Sequence, residues 1–154
     1  MSVATVTWKA DEFVADVRGA VAVGLTAGAK VIADEMRRNM GSEGGGVVGK
    51  GGKSGKRNIY ESSPPGAFPG IRTGNLRRSI MHTDATASNL ISSAGSAAGK
   101  QDRYGLWLEY GTRKMAPRPW ILRSFNRAKD RAFEMMANAS REEFQRITDR
   151  RADA

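Results

Sequence analysis

The sequence predicts an α+β fold in a single domain: a small antiparallel sheet of three or four strands with a long N-terminal helix and a long C-terminal helix. Three observations carry that expectation. Apolar residues recur every three or four positions over residues 11–40 and again from 119 onward, and short stretches between them alternate as strands do. The length of 154 residues suits one core, burying about two-thirds of the surface that the unfolded chain exposes.

Residues 3–8 place Ala4, Val6 and Trp8 on one side and Val3, Thr5 and Thr7 on the other, the pattern of a short half-buried strand. Over 11–40, Phe13, Val17, Val21, Leu25, Ala29, Ile32, Met36 and Met40 form the apolar stripe of an amphipathic helix. Asp11 is placed to cap it, Glu12 and Asp16 suit its positive end, and Arg37 and Arg38 its negative end. Gly19, Gly24 and Gly28 each cost about 1 kcal/mol relative to alanine inside a helix, so packing must stabilise its middle.

Residues 41–56 hold eight glycines with Lys50, Lys53 and Lys56, too little apolar surface to offset the entropy of ordering. Prolines 64, 65 and 69 continue the irregular stretch, which predicts a mobile Gly/Lys-rich loop over about 41–70. Thr73-Gly74-Asn75-Leu76 reads as a capped helical turn with Arg77 and Arg78 outward and Leu76 and Ile80 inward. Residues 79–86 and 90–97 flank a small polar spacer and suit an antiparallel hairpin. Residues 104–110 fit two patterns: Leu106, Leu108 and Tyr110 alternate like a strand, while Tyr104, Trp107 and Leu108 share a helical face. Pro119 suits a first helical turn, and Ile121, Phe125, Ala128, Ala132, Met135 and Ala139 continue at helical spacing, with Phe144 and Ile147 beyond. Residues 150–154 are expected to fray.

The 25 basic and 16 acidic residues leave a net charge of +9 and an isoelectric point near 10.4, which favours polyanionic partners. The excess is uneven: seven basic against two acidic residues over 41–80, and eleven against six over 111–154. Zero cysteines exclude disulfides and thiolate sites, and the single histidine, His82, excludes multi-histidine zinc sets, so neither metal nor cofactor is expected. No apolar run spans a bilayer, and Lys9, Asp11 and Glu12 stand where a signal peptide is apolar. Synthesis in the cytoplasm and no membrane partner are the expectation.

Candidate chemistry is sparse. His82 has only Asp84 nearby, and a structural histidine is the preferred reading. Glu109 either pairs with Arg113 or Arg118 or acts as a buried acid, and the ion pair is preferred. The run Gly49 to Lys56 resembles a phosphate loop superficially, but Val47 replaces the required first glycine and no helix follows. Non-specific contact with double-stranded DNA through Lys50, Lys53, Lys56 and Arg57 needs no fixed geometry and stays open. Tyr104, Trp107, Tyr110 and Trp120 lie near Arg113, Lys114 and Arg118, and core or subunit-interface packing is preferred over base stacking.

Three segments in fixed order resemble the tail-component and head-to-tail joining family of long-tailed double-stranded DNA bacteriophages. P-P-G-A-F-P-G-I-R-T-G-N-L-R-R-S-I at 64–80 is similar to that family's approach to a T-G-x-L-R-x-S turn, carrying Thr73, Gly74, Leu76 and Arg77. Y-G-L-W-L-E-Y-G-T at 104–112 is similar to its E-[YF]-G-T signature, carrying Tyr104, Trp107, Glu109, Tyr110, Gly111 and Thr112. K-M-A-P-R-P-W-I-L at 114–122 is similar to its approach to the last helix, carrying Arg118, Pro119 and Trp120. Gly105 stands where the family often has alanine, Pro117 replaces the alanine before Arg118, and the insert at 41–56 exceeds a minimal member's need.

The resemblance implies a non-enzymatic structural protein of the virion neck or tail, joining head to tail or completing the tail as a ring subunit around the DNA path. It also implies a hexameric homo-oligomer, other neck or tail proteins as partners, and no catalytic residues. The competing expectation from charge alone is a basic nucleic-acid-binding protein acting on its own.

Overall fold

A computed structural model describes residues 9–51, 57–97 and 100–153. The strand expected at 3–8, Lys53, Lys56 and the side chain of Arg57 lie outside the described residues. In chain order the elements are α1 (Ala10–Asn39), β1 (Gly46–Gly51), β2 (Arg57–Glu61), α2 (Asn75–Ser79), β3 (Ile80–His82), β4 (Ala94–Ser96), α3 (Lys100–Tyr110) and α4 (Ile121–Ala152). The α+β class with two long helices is thus the one expected from sequence. The strands differ in arrangement: they form two separate antiparallel pairs, β1–β2 and β3–β4, instead of one sheet.

Helices α1 and α4 pack side by side and antiparallel, with Asn39 near Ser124 at one end and Asp16 near Arg151 at the other. Two of the predicted glycines explain how they come so close. A Cβ on Gly24 would lie 2.0 Å from Ser140 Oγ and 2.6 Å from the Met136 carbonyl oxygen, and one on Gly28 would lie 2.3 Å from Met136 Cγ. The cost in helix propensity is offset by this close approach. Gly19 has open space around it.

Charge fixes the register of the pair. Arg123, Arg127 and Arg131 recur every four residues along α4. The first two reach Glu43 at 2.8 and 3.0 Å, and Arg131 reaches Glu35 at 3.2 Å. Arg151 binds Asp16 at 2.7 Å and Glu12 at 3.5 Å, so α4 stays helical to Ala152 where fraying was expected. Much of the C-terminal positive excess is therefore met inside the fold by acids far away in sequence.

The core lies beside one end of this pair. Met36 and Met40 from α1, Phe68, Leu76, Ile80, Leu108 and Trp120 form one buried cluster, with Trp120 and Phe68 fully buried. The β3–β4 pair packs on α1, where the Arg37 Nε donates to the Ile80 carbonyl oxygen at 3.1 Å. Its pairing continues past the strands through Thr83 and Ser93 to a tip closed by reciprocal bonds between Thr86 and Asn89, close to the predicted spacer. The tip returns to α1, where Thr26 Oγ1 accepts from the Ala85 N–H.

Four local expectations need correction. The 41–70 stretch is not structureless: the β1–β2 ribbon pairs Gly46 with Glu61 through to Gly51 with Arg57, with an irregularity between Val47 and Gly49. Backbone pairing there needs no apolar side chains from the glycine-rich strand. Asp11 does not cap α1, which begins at Ala10 with Lys9 in the cap position and Lys9 paired to Glu12 at 3.1 Å. Helix α4 starts at Ile121, two residues after Pro119. Finally, Phe13, Val21, Phe125, Met135 and Phe144 keep helical spacing yet stay largely exposed, because α1 and α4 extend beyond the core; Phe13 and Phe144 meet each other edge to face, with ring centres 6.1 Å apart.

The two kinds of glycine give opposite expected outcomes. Gly19→Ala should raise stability by up to about 1 kcal/mol, whereas Gly24→Ala should lower it by about 1–3 kcal/mol as α4 is pushed away. Urea unfolding of the two variants checks this, and stabilisation by both would contradict the packing.

Candidate interaction surface

The motif segments meet at the start of α4. An α-helix leaves its first N–H groups without partners, and here Glu109 supplies them from the last turn of α3. Its Oε2 accepts from the Trp120 and Ile121 N–H groups at 2.7 and 2.8 Å, and Oε1 accepts from Leu122 at 3.1 Å. The buried carboxylate thus faces the positive end of the α4 dipole and pairs with neither Arg113 nor Arg118, contrary to the preferred reading of the sequence.

Residues 111–120 make this geometry possible. Gly111 ends α3 at a φ of 76°, a left-handed conformation that suits glycine, and a Cβ there would lie 2.7 Å from the Met115 carbonyl oxygen. Thr112 and Met115 then exchange two backbone bonds, turning the chain. The Arg118 N–H donates to the Leu108 carbonyl, and Trp120 Nε1 donates to the Gly105 carbonyl at 3.0 Å. A Cβ on Gly105 would lie only 3.1 Å from Trp120 Cζ2, so the small residue leaves room for the indole.

The first motif closes the junction from the other side. Gly66 N–H donates to the Pro117 carbonyl, Gly41 N–H to the Pro69 carbonyl, and Arg118 Nε to the Ser63 carbonyl at 2.8 Å. Leu76 is buried in the core, as expected. Thr73 Oγ1 accepts from the Asn75 N–H at 3.3 Å, while Gly74 occupies the cap position at a φ of 74°. Arg77 and Arg78 are exposed, as expected, and with Arg37 and Arg72 they line an open cleft of about 610 Å³.

Glu43 forms a second junction that sequence reading missed. Besides Arg123 and Arg127, its carboxylate accepts from the Phe68 N–H at 3.0 Å, and both guanidiniums lie over the Phe68 ring, 4.3 and 4.6 Å from its centre. The Arg123 hydrogen bonds, then the Phe68 N–H, hold the Glu43 carboxyl down at about 2, against an ordinary value of 4.5. The partners lie 80 and 84 residues away, and the only sequence signal is the four-residue spacing of the arginines.

The four aromatics grouped by sequence separate in the fold. Trp120 is core, whereas Tyr104, Trp107 and Tyr110 are exposed on α3, Tyr110 at 78 %. Tyr110 joins Ile32, Ala94, Leu122 and Phe125 along an apolar groove of about 410 Å³ where α1, β4, α3 and α4 meet. Leu122 is 60 % exposed there. Lys50 is exposed on β1 and pairs with Asn58, while Arg57 pairs with Gly51, which puts both at the outer end of the ribbon. His82 Nε2 lies 3.5 Å from Asp84 Oδ1. Among the described residues no group of three His, Asp or Glu side chains is placed to hold a metal ion, and no helix is long and apolar enough to cross a membrane.

The depressed Glu43 carboxyl makes stability depend on acid. Its contribution is present in full above pH 4.5 and is lost as pH falls toward about 2, because the unfolded chain takes up the proton first. In acid titrations of unfolding, the stability difference between the protein and Glu43→Gln should be flat above pH 4.5 and shrink below it. A difference independent of pH would contradict the Glu43 assignment.

Comparison of the chain with protein-family models, curated proteins and solved structures returns no match.

Proposed function

We propose that this chain is a non-enzymatic structural subunit of a phage neck or tail, assembling with copies of itself into a ring around the DNA path. The observation that carries this reading is the apolar surface left without a partner at the junction: Tyr110, Leu122 and Phe125 along one groove, with Trp107 exposed on the same helix as Tyr110. Exposed aromatics clustered beside a groove are typical of a surface that another protein covers. The ordered resemblance of the three motif segments supplies the phage context. The same motifs build the rigid Glu109 junction, which holds α3 against α4 and so sets the position of that apolar surface.

Closed symmetry turns one modest contact into a stable assembly, and a hexamer is the size implied by the resemblance. The β1–β2 ribbon supports the reading further. It packs chiefly on itself, and its paired strands leave two outer edges on which another chain can add. The virion is then the place of action, with other neck or tail proteins above and below the ring.

A second reading, a basic protein binding double-stranded DNA on its own, is favoured by the cleft lined with Arg37, Arg72, Arg77 and Arg78 and by Lys50 on the ribbon. In the ring Arg37, Arg77, Arg78 and Lys50 face phosphates non-specifically. Acting alone, they make DNA binding the main activity, with steep loss of affinity as salt rises.

Electron microscopy of particles made without this chain decides between the readings, with unjoined heads or incomplete tails as the expected outcome. Intact, infectious particles would overturn the structural role. Trp107→Asp combined with Tyr110→Asp, both on exposed positions, should leave the fold unchanged by circular dichroism and block incorporation into particles. Normal incorporation of that variant would remove this surface from the contact.

A further inference from the structure

A cavity of about 360 Å³, which shares Arg72 with the arginine-lined cleft, lies between the base of the β1–β2 ribbon, the segment that follows β2, and the Tyr104–Leu108 side of α3. Three features set it apart from an ordinary surface dent. Ser63 lines it, is 2 % exposed, and its hydroxyl is the buried side-chain polar group among the described residues that has no hydrogen-bond partner. A buried hydroxyl without a protein partner costs stability, a cost that a hydrogen bond to a group bound beside it, or to a water there, would relieve. Arg72 and Arg118 also line the cavity, and among the described residues neither guanidinium has a carboxylate within 4.0 Å. Arg118 is held by the Ser63 and Ala116 carbonyls, at 2.8 and 3.3 Å, and Arg72 lies over the Tyr60 ring at 4.9 Å. Both cations are thus positioned before anything binds.

We propose that this cavity is a binding site for a carboxylate-bearing segment of a partner protein, with the carboxylate between Arg72 and Arg118 and the segment lying against Tyr60 and Tyr104. Arginine forks suit carboxylates and phosphates alike, so the remaining lining decides between them. Glu61 stands in the same cavity. Its charge disfavours a phosphate dianion more than a singly charged carboxylate, and its oxygens would accept a backbone N–H from a peptide whose acidic group sits on the arginine side. The two tyrosines offer flat walls to the flanking residues of such a segment, as aromatics do at protein contacts. A DNA duplex is too broad to enter a recess of this volume. The site is formed within one copy of the chain, so it stands apart from the assembly reading and is testable without it.

The test is a titration of the full ¹⁵N-labelled chain, followed by NMR, with the peptide N-acetyl-Ala-Glu-Leu-Ala-amide. Two further arms use the same peptide with glutamine in place of glutamate, once amidated and once with a free C-terminal carboxylate, and a fourth uses inorganic phosphate. Saturable shifts at Ser63, Arg72 and Arg118 with either acidic peptide are expected, and which of the two binds tells a side-chain carboxylate from a chain terminus. Equal binding of the amidated glutamine peptide, tighter binding of phosphate, or no saturable shift would overturn the proposal. Arg72→Gln, an exposed position, should weaken the acidic peptide at least tenfold with the fold intact. Ser63→Ala should weaken it several-fold while the unfolding midpoint holds or rises. A fall in that midpoint would instead make the Ser63 hydroxyl a structural group and contradict its assignment to a ligand.

Discussion

The structure depends on one buried carboxylate receiving the start of a helix. Glu109 ends α3 at a place where a negative charge is unfavourable for that helix, and it becomes favourable only because three N–H groups of the α4 N-terminus converge on it. That requirement fixes the angle between α3 and α4. It also places the Trp120 indole beneath Gly105 and makes the left-handed turn at Gly111 necessary. Removing the carboxylate would leave the buried Trp120 N–H and the part-buried Ile121 and Leu122 N–H groups without their acceptor, a cost greatest at Trp120.

The α1–α4 pair depends on a different balance. Gly24 and Gly28 weaken α1 as an isolated helix and allow α4 to approach it closely, while arginines at every fourth position of α4 select the register by meeting Glu43 and Glu35. Glu43 links this pairing to the core, because the same carboxylate accepts the backbone of Phe68. With the two junctions satisfied internally, the aromatic and aliphatic side chains of α3 and the outer face of α4 are left over. The proposed assembly role rests on that remainder.

Much of this was legible in the sequence, and the failures have physical causes. Both long helices follow from their apolar periodicity, and the short helix after Thr73 was legible too, although Gly74 holds its cap position and no side chain caps it. Periodicity marks which face is apolar but not whether anything covers it, so Phe13, Val21 and Phe125 read as core and stand exposed. Residues 104–110 fitted both a strand and a helix. The fold decides for the helix because Gly105, Leu108 and Glu109 then share the face turned to Trp120 and the α4 N-terminus, and Trp107 and Tyr110 turn outward. The β1–β2 ribbon was hidden by glycine content, although Asn58, Ile59 and Tyr60 carry a strand signal on the partner side. Glu109 stands out in the sequence beside Arg113 and Arg118, yet its partners are backbone N–H groups, which a sequence does not display as it does arginines.

The most direct test of the central junction is residue-resolved hydrogen exchange at the start of α4. First-turn amides of a helix ordinarily exchange fast, having no acceptor within the helix. If Glu109 holds them, the Ile121 and Leu122 amides exchange only as slowly as those of the buried core, and Glu109→Ala releases them without releasing the middle of α4. Fast exchange at Ile121 and Leu122 in the unaltered protein would contradict the account.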